Sequence, residues 1–215
     1  ALRRLVSVAV HEGLDQMSCL PRMKIDGFFH RVVMAGWAVL SVGLQNLEGV
    51  SDPESDDFFV FGAFNLFRRE YFDKTEGFSW LRMEIADDMG TGLLMRDAGA
   101  KQGIYLAFED LELEWYDSLG TMIRGLEKNG VGVVAHYDYR RGFALPVVWG
   151  LVFFGPLVGL LAGGPFLQAI AGAALLLNVP FNVIVARRMR RAIFPHLFSF
   201  VGVWGMMYGL VRSTY

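Results

Sequence analysis

A chain of 215 residues with a formal net charge of −2 is long enough for one good-sized domain or a smaller one with an appendage, and its near-neutral average hides a sharp division. All 22 acidic side chains fall in residues 1–141, with 15 of the 20 basic ones, so that part stands at −7; residues 142–215 hold five arginines and no acid. No basic face emerges in the first part, which argues against a nucleic-acid partner, and one cysteine excludes both a disulfide framework and a thiolate metal site.

Leu2, Leu5, Val6, Ala9 and Val10 recur at helical spacing and Gly13 follows, so the chain is expected to open on a surface helix with a glycine stop. The run "DQMSCLPRM" suits a strand that Pro21 interrupts, because proline donates no ladder hydrogen bond. Within it Cys19 reads as a small buried hydrophobe. Residues 27–44 are apolar apart from His30 and Arg31 and are marginal in length for a membrane span. Two readings stand for them: an interfacial helix lying on a membrane or packed under the domain, or a plain buried helix.

An acidic, turn-rich loop follows at 48–57. Residues 58–78 then give a strand-like apolar run, Gly62, and a basic-acidic helix start. In "MEIADDMGTGLLMRDAG" (83–99), Ile85, Met89 and Leu93 keep helical spacing and Gly99 marks the stop. Asp87 and Asp88 stand at the start of that helix. Aspartates there accept backbone N–H bonds and complement the positive end of the helix dipole, so capping is the plain explanation for the pair. Residues 103–116 suggest one or two strands, and 117–130 an amphipathic helix ending at Gly130. Helix and strand in alternation indicate an α/β domain.

From Phe143 the pattern changes. Residues 143–163 and 165–186 are uncharged apolar stretches, each able to cross a hydrocarbon core of about 30 Å, and 194–212 is a third candidate. Pro156 and Pro180 are tolerable kinks in membrane helices, and Gly163-Gly164 leaves room only for a tight turn. "RRMRR" (187–191) between apolar stretches is the pattern that stays on the cytoplasmic side. The four histidines, at 11, 30, 136 and 196, have no ligand spacing and suggest no metal site.

"GAFNLFRREYFDKTEGF" (62–78) followed by "EIADDMGTGLLMRDAGAKQGIYL" (84–106) resembles the second half of the catalytic domain of membrane-bound family-2 glycosyltransferases. Within that family it is similar to bacterial ceramide and hopanoid glucosyltransferases and carotenoid-acid glycosyltransferases. The resemblance implies an α/β fold, with residues 1–141 the C-terminal half of a GT-A-type domain and 142–215 a transmembrane region. It implies an enzyme in the inner (cell) membrane, multi-pass, with its catalytic domain in the cytoplasm. Such an enzyme passes one sugar, with inversion, from a nucleotide-sugar donor to a membrane lipid.

On that resemblance Asp88 is the general base, and Asp87 replaces the usual Glu as a cap or supporting residue. Gly62, Ala63 and Phe64 line the acceptor side, and Arg124 contacts the diphosphate. Plainer readings stand beside these: Gly62 marks a bulge or close backbone approach, Arg68 and Arg69 face solvent, and Arg124 pairs with Glu127 three residues on. The family's Asp-x-Asp motif, which holds a divalent ion (Mg or Mn), is absent, as if the chain began just downstream of it; such a piece alone is expected to be inactive. The family's Gln/Arg-x-x-Arg-Trp motif survives only as Arg124, with Thr121 and Gly125 in the flanking positions. That departure disfavours a processive polysaccharide synthase, the enzymatic alternative. A non-catalytic membrane protein that binds lipid or sugar is the alternative from another class.

Overall fold

The computed structural model describes residues 1–44, 46–52, 54–129 and 139–212. They form two compact units: residues 1–24 with 44–115, and residues 25–43 with 116–215. The units therefore interleave along the chain, although the composition changes at one point near residue 142.

The first unit is mixed α/β. Helix α1 (Leu2–His11) leads into strand β1 (Gln16–Leu20), and Pro21 separates β1 from the two-residue β2 (Arg22–Met23). Strand β1 is the middle of a three-stranded sheet. It runs antiparallel to β3 (Asn65–Phe67) and parallel to β4 (Gln102–Leu106), with Gln16 opposite both Phe67 and Gln102. Strand β2 pairs separately with β5 (Glu112–Leu113). Alternation along β1 sends Met17 and Cys19 to one face, where they meet Leu5 of α1 and Ala107 in a fully buried cluster. Cys19 is thus the small buried hydrophobe expected of it, and burial, with Asp110 nearby, pushes its thiol up to about 11.

The other face of β1 is polar and equally buried. Gln16 Nε2 donates to Asn65 Oδ1 at 3.4 Å, and Gln102 Nε2 donates both to Gln16 Oε1 and, at 2.7 Å, to the Gly92 carbonyl. Gly92 belongs to α5 (Asp87–Asp97), so amide side chains tie that helix to the sheet. Buried amides must be hydrogen-bonded, and this network fixes the helix position more strictly than apolar contact would.

Two local expectations are corrected here. The strand-like run at 58–61 joins no ladder; the strand comes after Gly62, at 65–67. The Phe61 N–H is taken instead by the Ser18 hydroxyl at 2.7 Å, and Phe59, Val60 and Phe61 are buried by side-chain packing. The helix start at 68–78 becomes two short pieces, α3 (Arg69–Phe72) and α4 (Phe78–Leu81), with Gly77 between them at φ +57°.

The second unit is helical: α2 (Phe28–Leu44), α6 (Leu119–Asn129), α7 (Tyr139–Ala162), α8 (Pro165–Arg188), α9 (Ile193–His196) and α10 (Ser199–Arg212). The Gly130 stop expected for α6, and His136, lie outside the described residues. Among the described residues, two helices are long and apolar enough to cross a membrane, Phe143–Ala162 and Pro165–Arg188, and only 6% and 22% of their most apolar stretches is buried. Gly163 and Gly164 form the whole connection between them. The third apolar stretch is split. Its longer piece, α10, has 14 residues, about 21 Å at 1.5 Å per residue, less than a hydrocarbon core.

Helix α2 takes the buried alternative. Val32 to Ala35 and Ala38 to Leu40 are all buried, against α10 (Val203, Met207, Leu210), α8 (Val185) and α7 (Phe153). Its crossing with α10 needs glycine on both sides. A Cβ on Gly202 would stand 2.0 Å from the Val32 carbonyl oxygen, and one on Gly36 would stand 2.4 Å from the Gly202 backbone.

Candidate functional site

Helix α5 places the paired aspartates. Gly90 and Gly92 are buried; a Cβ at Gly92 would come within 2.6 Å of Val60, and one at Gly90 within 2.8 Å of Leu81. Both glycines are therefore needed for the helix to lie this close to the 58–62 segment and α4. Thr91, between them, closes back on the helix through Oγ1 to the Asp87 carbonyl at 2.7 Å. Gly99, at φ +78°, ends the helix in a Schellman motif: its N–H reaches Arg96 and the Ala100 N–H reaches Met95.

The N-cap position is Ala86, without a side-chain cap; Asp87 and Asp88 are the first two helical residues. Asp87 is exposed and accepts the Asp88 N–H at 3.1 Å. Asp88 is half-buried. Its Oδ1 accepts the Met89 N–H at 2.8 Å and its Oδ2 the Gly62 N–H at 3.0 Å. Two residues singled out 26 positions apart are thus joined by one hydrogen bond. Gly62 sits in a turn ahead of β3, and a Cβ there would come within 2.7 Å of Asp88 Oδ2, so glycine is what lets the carboxylate in. The close-approach reading of Gly62 fits this geometry, and the strand-bulge reading does not.

The other candidates divide. Ala63 is exposed beside Gly62, whereas Phe64 packs onto the Leu5–Met17–Cys19–Ala107 core. Arg68 is not free in solvent: its Nε meets Asp15 Oδ1 at 3.0 Å, and Asp15 Oδ2 also accepts the Lys101 N–H at 3.0 Å. Arg69 is exposed and pairs with Asp73 at 3.3 Å. Arg124 belongs to the second unit, exposed on α6. Its expected partner Glu127 pairs with Arg212 instead. Arg124 acts on Asp117, whose carboxyl is held below its ordinary value by the Thr121 hydroxyl first and by the Ser118 hydroxyl and Arg124 in lesser measure.

Sequence reading missed two supports of the Gly62 turn. Ser18 holds the Phe61 backbone, and the Trp115 ring stands edge-on to Phe61 at 5.3 Å. Neither leaves a local signal, because each partner lies more than 40 residues from Phe61.

A carboxylate has about four lone-pair sites. The two N–H donors on Asp88 use one on each oxygen, so it is held in one orientation and can still accept a proton or a hydroxyl. Among the described residues, no three His, Cys, Asp or Glu side chains are grouped to hold a metal ion. Compared with protein-family models, curated proteins and solved structures, the chain matches none.

Proposed function

We propose that this chain is the acceptor-side half of a membrane-bound glycosyltransferase that passes one sugar, with inversion, from a nucleotide-sugar donor to a membrane lipid at the cytoplasmic face of the inner (cell) membrane. The observation that carries the reading is the Asp88 carboxylate, oriented by the Gly62 and Met89 N–H groups at the surface of a mixed α/β unit. A lipid hydroxyl is a poor nucleophile until its proton is removed as the new bond to the anomeric carbon forms. In the proposed step the hydroxyl oxygen bonds to that carbon, the bond to the leaving nucleotide diphosphate breaks, and Asp88 receives the proton. The two apolar helices would hold the chain in the membrane that carries the lipid.

The residues present do not fit the divalent ion expected of such an enzyme. Among the described residues no three His, Cys, Asp or Glu side chains are grouped to hold such an ion. On this reading the metal and the donor diphosphate are held outside this chain, and the 215 residues alone do not turn over.

The test is Asp88→Asn in the whole transferase. Asparagine keeps the size of the side chain and one of its two N–H acceptors but cannot take the proton, so, with the fold checked by thermal melting, transfer falls roughly 10²-fold or more with donor binding retained. Transfer within a few-fold of the parent would overturn the assignment. A second reading also has its observation: a carboxylate holding two backbone N–H groups is what a purely structural staple looks like, and it would suit a non-catalytic lipid- or sugar-binding protein. That reading requires the parent protein to show no sugar transfer, with Asp88→Asn changing its stability alone.

A further inference from the structure

At the arginine-bearing end of α8, four phenylalanines gather. Phe28 lies 5.6 Å from Phe29, 5.8 Å from Phe194 and 5.7 Å from Phe198, ring centre to ring centre, and Phe194 meets Phe198 at 5.4 Å. A hydrophobic cluster of this kind normally closes over itself, yet Phe29 and Phe194 remain 68% and 62% exposed. Beside the rings lies an open cleft of about 360 Å³, lined by Gly27, Phe28, Arg31, Ala192, Phe194 and Pro195.

The charge around this cluster has one sign on α8 and in the turn after it. Arg187 and Arg188 are exposed in the last turn of α8. Arg190 and Arg191 follow, with Ala192 of the cleft next. Arg31 is pinned by its Nε–H to the Ile25 carbonyl at 3.0 Å, and its terminal nitrogens have no acceptor among the described residues. Arg191 is half-buried, and burial pushes its guanidinium down to about 10. The nearest acid in sequence is Asp26, beside Gly27, which acts on His30.

Exposed phenylalanine rings beside arginines, at the end of an apolar helix long enough to span a bilayer, suit the boundary where apolar rings dip into the acyl layer and arginines reach the headgroups. We propose that the cleft between Gly27–Arg31 and Ala192–Pro195 takes the phosphate of an anionic phospholipid against Arg31, with the Phe28, Phe29, Phe194 and Phe198 rings in the upper acyl layer. The proposal rests on the membrane reading of α7 and α8 and is independent of sugar transfer. The lipid bound here is a resident of the surrounding leaflet and not the acceptor.

The experiment uses the full chain in neutral detergent micelles doped with headgroup-neutral fluorescent phosphatidylcholine or the matching anionic phosphatidylglycerol, read by energy transfer from tryptophan. Phosphatidylglycerol should bind more tightly. Arg31→Gln should weaken it about fivefold, the worth of one basic residue near an anionic surface, while Arg31→Lys keeps most of the affinity and phosphatidylcholine, whose choline offsets its phosphate charge, is weakened less. Phe29→Ser, at an exposed position, should weaken both lipids. Equal affinity for the two lipids, no change in Arg31→Gln, or displacement of the probe by millimolar inorganic phosphate would overturn the proposal. Carbonate washing of membranes holding the same chain separates the two layers of inference. Release into the wash overturns the membrane reading itself, whereas retention with equal lipid affinities overturns the headgroup site alone.

Discussion

Helix α2 and the α7–α8 hairpin draw on nearly the same residues, apolar and aromatic with scattered glycine, and they belong to one unit. Their surroundings are opposite. In α2 the residues from Val32 to Leu40 are buried but for Trp37, which is half-buried and packs against the neighbouring helices. In the hairpin Leu151, Leu161, Phe166, Leu176 and Leu177 are 69–84% exposed. The unit thus has its core on the shorter helix and an apolar exterior on the longer ones. Contiguous apolar surface on this scale marks contact with lipid or with another protein. Composition alone could not tell these helices apart; length and neighbours do.

The largest expected effect that would break this contrast lies at the α2–α10 crossing. Gly202→Val puts side-chain atoms where the Val32 carbonyl stands. It should cost about 3 kcal/mol or more, or prevent folding, measured by thermal melting in detergent. A mild effect would mean that α2 is not clamped as described. Next comes a matched pair. Met34→Ala, at 2% exposure, should cost about 2–5 kcal/mol, whereas Leu177→Ala, at 71%, should cost under about 0.5 kcal/mol. Equal losses at the two sites would erase the distinction.

The first unit offers a titration. The Cys19 thiol is raised to about 11 from an ordinary 9.0 because burial penalises the thiolate. Between those values the unfolded chain has lost the proton and the folded one has kept it, so stability falls as pH rises from about 9 to 11. The loss should reach up to about 3 kcal/mol, and Cys19→Ser should remove that dependence. Below pH 9 the thiol should resist alkylation until the protein unfolds.

The smallest effect concerns helix ends. Helices α1 and α5 stop on Gly13 and Gly99 at positive φ, but α8 stops with Arg190 at φ 50° in the same Schellman geometry, its N–H on Arg187 and the Arg191 N–H on Ala186. An arginine in the left-handed region is strained where glycine is not. Arg190→Gly should therefore raise the melting free energy by about 0.5 kcal/mol after the extra entropy of glycine in the unfolded chain is counted.

What was legible in the sequence was local. The stops at Gly13 and Gly99, the break at Pro21, the two-glycine hairpin and the two long apolar helices all follow from residues adjacent in the chain. What was not legible depends on partners far away. The run 58–61 has strand composition, but Ser18 takes the Phe61 N–H and the ladder starts later. Glu127 has Arg124 at helical spacing yet pairs with Arg212. Phe64 sits within a motif that suggested a cleft, and its ring goes to the core laid down by Leu5 and Met17. For the candidate site, spacing identified Asp87, Asp88 and Gly62 singly. Only the fold joined Asp88 to Gly62, through Gly90 and Gly92 on a face that no periodicity rule selects.

The proposed placement of the hairpin in lipid, with its arginine end inside the cell, is tested most directly by single-cysteine labelling of intact cells. The native Cys19 is buried and silent, so engineered thiols report without background. Gly164→Cys, in the exposed two-residue turn, should react with a membrane-impermeant maleimide added outside. Ala192→Cys, beyond "RRMRR", and Glu70→Cys, in the α/β unit, should react only after the cells are opened. Labelling of Ala192→Cys from outside, or protection of Gly164→Cys in intact cells together with ready labelling in opened ones, would contradict it.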